Sequence, residues 1–154
     1  MIHTGTHKAE ARLTLTSELA ALTLVRPWID VLALEHVIPA STVFAINLCL
    51  EEALSNVIRH GYSGEPGHHL TIDFASSAPG AVTFTVEDSA PPFEPAEPAH
   101  SIAPVSLEDL QPGGQGIRFL RRFSQSLRWE PLSHGNRLTI GFHFPASNLP
   151  HPVV

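Results

Sequence analysis

Several features that would narrow the function of a protein are scarce in these 154 residues. A single cysteine, Cys49, rules out an intramolecular disulfide framework and predicts a reducing compartment. The net charge of −6 and the lack of a Lys/Arg cluster argue against direct binding of nucleic acid. No apolar run approaches the roughly 20 residues that span a bilayer, and the N-terminus lacks the apolar core of a signal peptide. We therefore expect a soluble, cytoplasmic protein without a membrane partner.

Histidine is abundant, but its ten residues do not form a metal-binding motif. None of them belongs to an HExxH pattern, and one cysteine is too few for the common structural zinc sites. The hydrophobic fraction of 43% is that of a folded chain, and the length suits one domain.

The apolar pattern predicts an α+β domain. Alternating residues predict strands at 11–16, 70–75, 81–88, about 127–130, and 137–144, with a hairpin turn at Pro79-Gly80. Helical patterns cover 18–37, capped by Ser17 and with a kink or restart at Pro27, then a stretch from Ser41 or Thr42 to His60, and a third after GGQG at 113–116. Residues 89–112 form a Pro-rich loop, either a functional lid or disordered. This order predicts a mixed, mostly antiparallel sheet with helices on one face, preceded by an extension (1–10) and followed by a flexible tail (146–154).

Three polar residues of the second helix recur four apart: Glu52, Asn56 and His60. They lie roughly 100–150° around the helix from its apolar stripe. An amide oxygen suits Mg²⁺, and a carboxylate one turn away can accept a proton from a hydroxyl. A solvent-facing polar pair is the alternative interpretation of the same spacing.

Two further features carry possible chemistry. Asp88 ends a strand, where a carboxylate can accept a hydrogen bond from an exocyclic amine such as that of adenine, although an Asp-Ser pair also starts turns. The run Gly113-Gly114-Gln115-Gly116 leads into a helix, whose N-terminus attracts phosphate, although the same run would serve as a hinge.

Together, in this order and separated by a long loop, these features resemble the ATP-binding domain of the GHKL superfamily, and within it the bacterial anti-sigma regulatory factors, serine/threonine kinases of partner-switching pathways. Residues 52–62 (EALSNVIRHGY) are similar to the N box of that family. Residues 86–95 (VEDSAPPFEP) and 113–117 (GGQGI) resemble its first and second glycine boxes. The resemblance covers roughly residues 11–145.

The resemblance implies a two-layer Bergerat-type sandwich that binds ATP and Mg²⁺ beneath the lid. It implies that Glu52 is the general base, that Asn56 binds the metal ion, and that Asp88 holds the adenine amino group. The remaining positions that it places at the cofactor are His60 lining the site, Ala90 in the first glycine box, Gly114 and Gly116 at the phosphates, and Thr139 assisting Asp88. The implied partners are a STAS-domain anti-anti-sigma protein, a sigma factor and a second copy of the chain.

Two positions depart from the family pattern. Ala90 stands where the first glycine box has a glycine, and alanine resists positive φ. No Lys or Arg lies between Val86 and Arg118, so the lid lacks an arginine for the charge that develops on a transferred phosphate. The sequence therefore leaves a kinase and an ATP- or ADP-dependent binding module open. A detached histidine kinase domain is less favoured because no helical segment with a phosphoacceptor histidine precedes the domain.

Overall fold

The computed structural model describes residues 9–92 and 115–146. Within them, five strands form one sheet in the order β1-β2-β3-β5-β4, and every pairing is antiparallel. The strands are β1 (Ala11–Thr16), β2 (His69–Ala78), β3 (Ala81–Asp88), β4 (Ser126–Leu132) and β5 (Gly135–His143). The helices are α1 (Val25–His36), α2 (Ala40–Asn56) and α3 (Gln115–Phe123), with a 3₁₀ segment at Leu19–Leu24 and a π-helical turn at Val57–Gly61.

The α+β prediction is confirmed, although the sheet is antiparallel throughout rather than mixed. The strand periodicity located β1 and β3 to the residue and the other strands to within a few residues.

The core lies between the helices and one face of the sheet. Along β3, Val82, Phe84 and Val86 are buried, whereas the residues between them are half-buried on the opposite face. The ring of Phe84 meets Trp28 of α1 edge-on, with the ring centroids 6.1 Å apart. Since burying one such side chain contributes roughly 1.5–3 kcal/mol, this apolar layer holds the helices on the sheet.

The other face of the sheet is polar. Arg12 of β1 donates two hydrogen bonds to Asp73 of β2, of 2.6 and 2.8 Å. Arg137 of β5 bridges Glu87 at 2.6 Å and Glu130 at 3.3 Å. Exposed pairs contribute about 0–1 kcal/mol each, so they add little to the stability of the sheet.

The apolar stripe predicted for α2 is confirmed. Its buried residues are Ile46, Leu50, Ala53 and Leu54, followed by Val57, and Val43 packs against them partly buried. This stripe fixes the rotation of α2 about its axis, and therefore the direction in which its polar residues point.

The predicted helix caps are wrong. Ser17 is buried and donates to the carbonyl of Glu65 at 2.8 Å while accepting from the amide of His68 at 3.1 Å, so it ties the end of β1 to the segment before β2. Neither Ser41 nor Thr42 caps α2, because the helix begins at Ala40 with Pro39 as its N-cap residue. A sequence that offers several capping residues does not show which of them has a competing partner elsewhere.

The predicted restart at Pro27 is found two residues earlier. The 3₁₀ segment changes to α1 at Val25, which places Pro27 in the first helical turn, where its missing N–H is tolerated. Within the described residues, 9–92 and 115–146, no helix is long and apolar enough to cross a membrane. Most of the expected N-terminal extension, of the expected lid and of the expected tail lies outside the described residues.

Candidate functional site

The site is built around Asp88, the last residue of β3. Its side chain points to the helix side of the sheet and is only 7% exposed. The backbone N–H of Ala90 and the Nδ2 of Asn136 both donate to Asp88 Oδ1, each at 2.9 Å. Burial raises the pKa of this carboxyl above its ordinary value of 3.8, against the opposing effect of the two hydrogen bonds. Ala90 and Asn136 thus hold the Asp88 carboxyl group in surroundings that disfavour its charged form.

Asn136, the second residue of β5, pairs in register with Asp88. Gly135 allows this approach, because a Cβ at its φ of 144° would overlap the carbonyl oxygen of Asp88. Asn136 is 3% exposed, and its Oδ1 accepts a hydrogen bond of 3.2 Å from Trp129 Nε1.

The structure corrects the role given to Thr139. Thr139 pairs with Thr85 and lies out of phase with the inward-facing residues of β5, so it points to the open face of the sheet, away from Asp88. Asn136 holds Asp88 instead. The sequence contained the signal, since Asn136 lies two residues before Leu138 and shares its inward phase.

A cavity of about 530 Å³ opens beside Asp88. Asn56 of α2 and Asp88 of β3 both line it, although they lie on different elements and are 32 residues apart in the sequence. Apolar side chains supply most of the rest of its wall: Ala53, Val57, Val86, Leu120, Leu127, Trp129 and Leu138. This volume and this mixture are typical of small-molecule sites, which measure roughly 300–1,000 Å³.

Two arginines also line the cavity, Arg121 of α3 and Arg128 of β4. Arg128 pairs with Thr139, and its Nη2 lies 3.8 Å from Glu130 Oε2, so its guanidinium group lies on the open face of the sheet. Of the two arginines, only Arg121 is therefore placed to bring positive charge to the cavity. The segment after residues 89–112 thus brings Arg121 to the cavity, although no Lys or Arg lies between Val86 and Arg118.

The end of α2 is shaped to meet the end of β3. After Asn56 the helix widens into the π-helical turn, and the N–H of Tyr62 bonds the carbonyl of Val57 at 2.8 Å. This turn buries Tyr62, whose hydroxyl donates to the carbonyl of His69 at 2.9 Å and accepts from the N–H of Ser89 at 2.7 Å. Such local widening often lies at functional sites.

Ala90 packs directly on Gly61. It is 1% exposed, and a Cβ built on Gly61 would lie 3.0 Å from the Ala90 Cβ. Among the described non-glycine residues only Val37 and Ser63 have positive φ, so the backbone strain considered for Ala90 is not present. Gly61 leaves the space that the extra methyl group of Ala90 fills.

His60 and Glu52 are not brought to the Asp88 cavity. His60 is exposed and does not line this cavity. Glu52 is half-buried and lines a neighbouring groove between the 3₁₀ segment, α1 and α2, together with Arg26 and Arg59.

The second glycine box is only partly described. Gly114 lies outside the described residues, and Gly116 is the second residue of α3. In the part of the chain that is described, no group of three or more His, Cys, Asp or Glu side chains could hold a metal ion.

Comparison with known proteins identifies the family. The model of the histidine kinase-like ATPase domain matches residues 15–142. The chain belongs to this family. Among curated proteins, the serine/threonine-protein kinase BtrW of Bordetella bronchiseptica is 31% identical over 120 residues, which cover 75% of this chain and 81% of that protein.

Two solved structures share the fold of this histidine kinase-like ATPase domain. The RsbU and RsbW domains of Rv1364c from Mycobacterium tuberculosis align with a TM-score of 0.58 and 17% identity over 86% of this chain and 32% of that one. The histidine kinase domain of a blue-light-activated kinase from Erythrobacter litoralis aligns with a TM-score of 0.52 and 18% identity over 81% and 60%. The chain thus spans about a third of the first structure.

The contact between Gly61 and Ala90 makes a prediction about the stability of this ATPase domain. Gly61→Ala should lower the free energy of unfolding by about 1–3 kcal/mol, because the new methyl group meets Ala90. Adding Ala90→Gly should recover part of that loss. A double-mutant cycle by chemical denaturation measures the coupling, and strictly additive effects would show that the two residues do not compete for one space.

The pKa of Asp88 makes a second prediction. Because its native pKa is raised, the native state binds more protons than the unfolded state between pH 3.8 and that native pKa. The stability present below pH 3.8 is therefore lost as pH rises through the native pKa. Asp88→Asn keeps an oxygen for Ala90 and Asn136 and should be more stable than wild type at pH 7, with the difference shrinking as pH falls.

Denaturation of both proteins across pH 3.5–8 would measure this difference, where the range is roughly that of carboxyl titration. Glu87→Gln is the matched control, since it removes a carboxylate from the adjacent residue on the open face and breaks its ion pair with Arg137. It should give no gain in stability at pH 7. A loss for Asp88→Asn that does not depend on pH would contradict the prediction.

Proposed function

We propose that this protein binds Mg-ATP in the Asp88 cavity and acts as an anti-sigma regulatory kinase that phosphorylates a serine or threonine of a STAS-domain partner. The observation that carries the proposal is the shared cavity of Asn56 and Asp88, in which Asp88 is held by Asn136. The family match and the kinase relative support it. A sigma factor as second partner, a homodimeric state, a role in transcription regulation and a cytoplasmic location belong to the same proposal.

The cavity fits an adenine base. Both described hydrogen bonds to the Asp88 carboxylate fall on Oδ1, which leaves Oδ2 as an acceptor for an exocyclic amine. The flat aliphatic and aromatic side chains around it, among them Val86, Leu138 and Trp129, suit the faces of a purine.

The residues also fit a magnesium ion that is held mainly by its ligand. Asn56 offers one amide oxygen from α2, and Mg²⁺ usually keeps waters and takes substrate phosphates rather than an all-protein cage. One protein ligand, without a cluster of carboxylates among the described residues, therefore matches this ion. When bound, the ion supplies charge neutralisation to the phosphates.

Glu52 is the proposed base for the acceptor hydroxyl of the partner. This role requires Glu52 to contact the hydroxyl of the partner and not the adenine at Asp88. Its place in the adjacent groove suits a protein substrate that binds on the side of this groove. Arg121 is the proposed cation for the transferred phosphate, and Gly114 and Gly116 lie in the sequence just before it, where backbone N–H groups can bind phosphate.

Nucleotide binding can be tested by exchanging donor and acceptor at Asp88. Wild type should bind Mg-ATP and discriminate against inosine triphosphate, whose O6 is an acceptor. Asp88→Asn presents an N–H and should lose roughly a hundredfold in ATP affinity while its preference moves toward inosine triphosphate. Asn56→Ala should weaken the binding of Mg-ATP more than that of metal-free ATP.

Calorimetric titration measures each of these affinities, and the Glu87→Gln protein serves as the control, because Glu87 does not line the cavity. The proposal of a nucleotide site fails if wild type binds no ATP, or if Asp88→Asn and wild type bind it equally.

Phosphotransfer can be tested with labelled ATP and a STAS-domain protein encoded near this gene. Glu52→Gln should lower transfer on the order of 10²–10⁴-fold with ATP binding retained, since it removes a base. Arg121→Gln should lower transfer on the order of 10²-fold because it removes positive charge from the cavity.

The matched controls are Glu51→Gln and Arg122→Gln. Glu51 precedes Glu52 and lines the same groove, and Arg122 is an exposed neighbour of Arg121 placed over the ring of Phe123. Both should leave transfer near the wild-type rate. Tight ATP binding by wild type without any transfer would replace the kinase by an ATP-dependent binding module.

A further inference from the structure

Asn136, which donates a hydrogen bond to Asp88, itself accepts one from a third residue, Trp129. Trp129 lies in the middle of β4, opposite Leu138 of β5, and its ring lines the cavity. Its Nε1–H reaches past that pair to Asn136 Oδ1 at 3.2 Å. Trp129, Asn136 and Asp88 therefore form a chain of two side-chain hydrogen bonds across three adjacent strands.

The direction of this chain follows from the chemistry of its ends. The indole N–H can only donate, so the atom of Asn136 that faces it is the oxygen. The amide nitrogen then points to the opposite side, where Asp88 Oδ1 and the carbonyls of Ala90 and Pro91 lie at 2.9, 3.3 and 3.4 Å. All three are acceptors, so these contacts and the indole N–H favour the same orientation of the Asn136 amide.

We infer that Trp129 is a positioning residue for nucleotide specificity: it orients Asn136, which in turn aims the free oxygen of Asp88 at the 6-amino group of the base. The inference rests on the proposed function and names the residue that sets its base selectivity. Asn136 is 3% exposed, so removing the indole donor leaves its oxygen in a buried place without that partner. Without that hydrogen bond, the position of the Asn136 amide beside Asp88 is less restrained.

A purely structural or stacking role for Trp129 makes a different prediction. Loss of packing or of a ring beneath the base would weaken every purine nucleotide alike, because every purine has the same faces. Loss of aim at Asp88 would weaken ATP alone, because inosine triphosphate has no 6-amino group to lose. The ratio of the two affinities therefore separates the roles.

The test is Trp129→Phe, which keeps an aromatic ring in the wall and removes the N–H donor. Its Kd for Mg-ATP should rise roughly tenfold while that for inosine triphosphate changes less than about threefold, as expected for one lost hydrogen bond. Trp28→Phe is the matched control, since Trp28 is the other tryptophan of the chain and packs from α1 on Phe84 of β3, outside the cavity. It should leave the ratio unchanged.

A second set of variants shows whether Trp129 acts through Asn136. In Asn136→Ala the ratio should already be reduced, and adding Trp129→Phe should reduce it no further. An equal effect of Trp129→Phe in both backgrounds, or an equal loss for both nucleotides, would overturn the inference and leave the ATP site intact. If wild type binds no ATP at all, the proposed function itself fails, and this inference with it.

Discussion

A carboxylate buried at the end of β3 is the constraint on which the rest of the site depends. Removing a charged group from water is costly unless hydrogen bonds replace the lost solvation. Here Asn136 and the N–H of Ala90 replace part of it, and the raised pKa of Asp88 shows that burial still outweighs them. Gly135 is required because only a residue without a side chain lets β5 approach Asp88 so closely. A group held at this expense of stability is usually kept for binding or catalysis.

The second constraint is the joint between α2 and β3. At the end of the π-helical turn, Gly61 packs against Ala90. The next residue, Tyr62, accepts a hydrogen bond at its hydroxyl from the N–H of Ser89. Two consecutive residues that end the turn thus contact the two residues that follow Asp88. The helix that carries Asn56 is therefore fixed relative to the strand that carries Asp88. Gly61 and Tyr62, which end the segment that resembles the N box, therefore have a structural role in this contact. His60, which precedes them, is exposed.

Most of the fold was predictable because it follows from periodicity. The alternation of β3 and the apolar stripe of α2 each define a buried face, and the structure confirms both. The errors came from local features with several possible partners. Ser17 caps nothing because backbone groups 48 and more residues away compete for it. Thr139 was carried over from the family resemblance, although its phase in the strand placed it on the open face. Trp129 carried no sequence signal, since its role depends on the register between β4 and β5.

The charges of the cavity indicate how its ligand must be oriented. The Asp88 carboxylate lines the cavity from β3, Arg121 lines it from α3, and apolar side chains supply much of the wall between them. A ligand that satisfies this arrangement needs a hydrogen-bond donor on a flat apolar group and a separate anionic group. A nucleoside triphosphate with an exocyclic amine has both. Apart from one histidine, the titratable side chains between Val86 and Arg118 are all acidic, so positive charge for phosphates would come from residues after this stretch or from a partner. Under the proposed function, Arg121 is therefore the residue whose replacement best separates a nucleotide-binding module from a kinase.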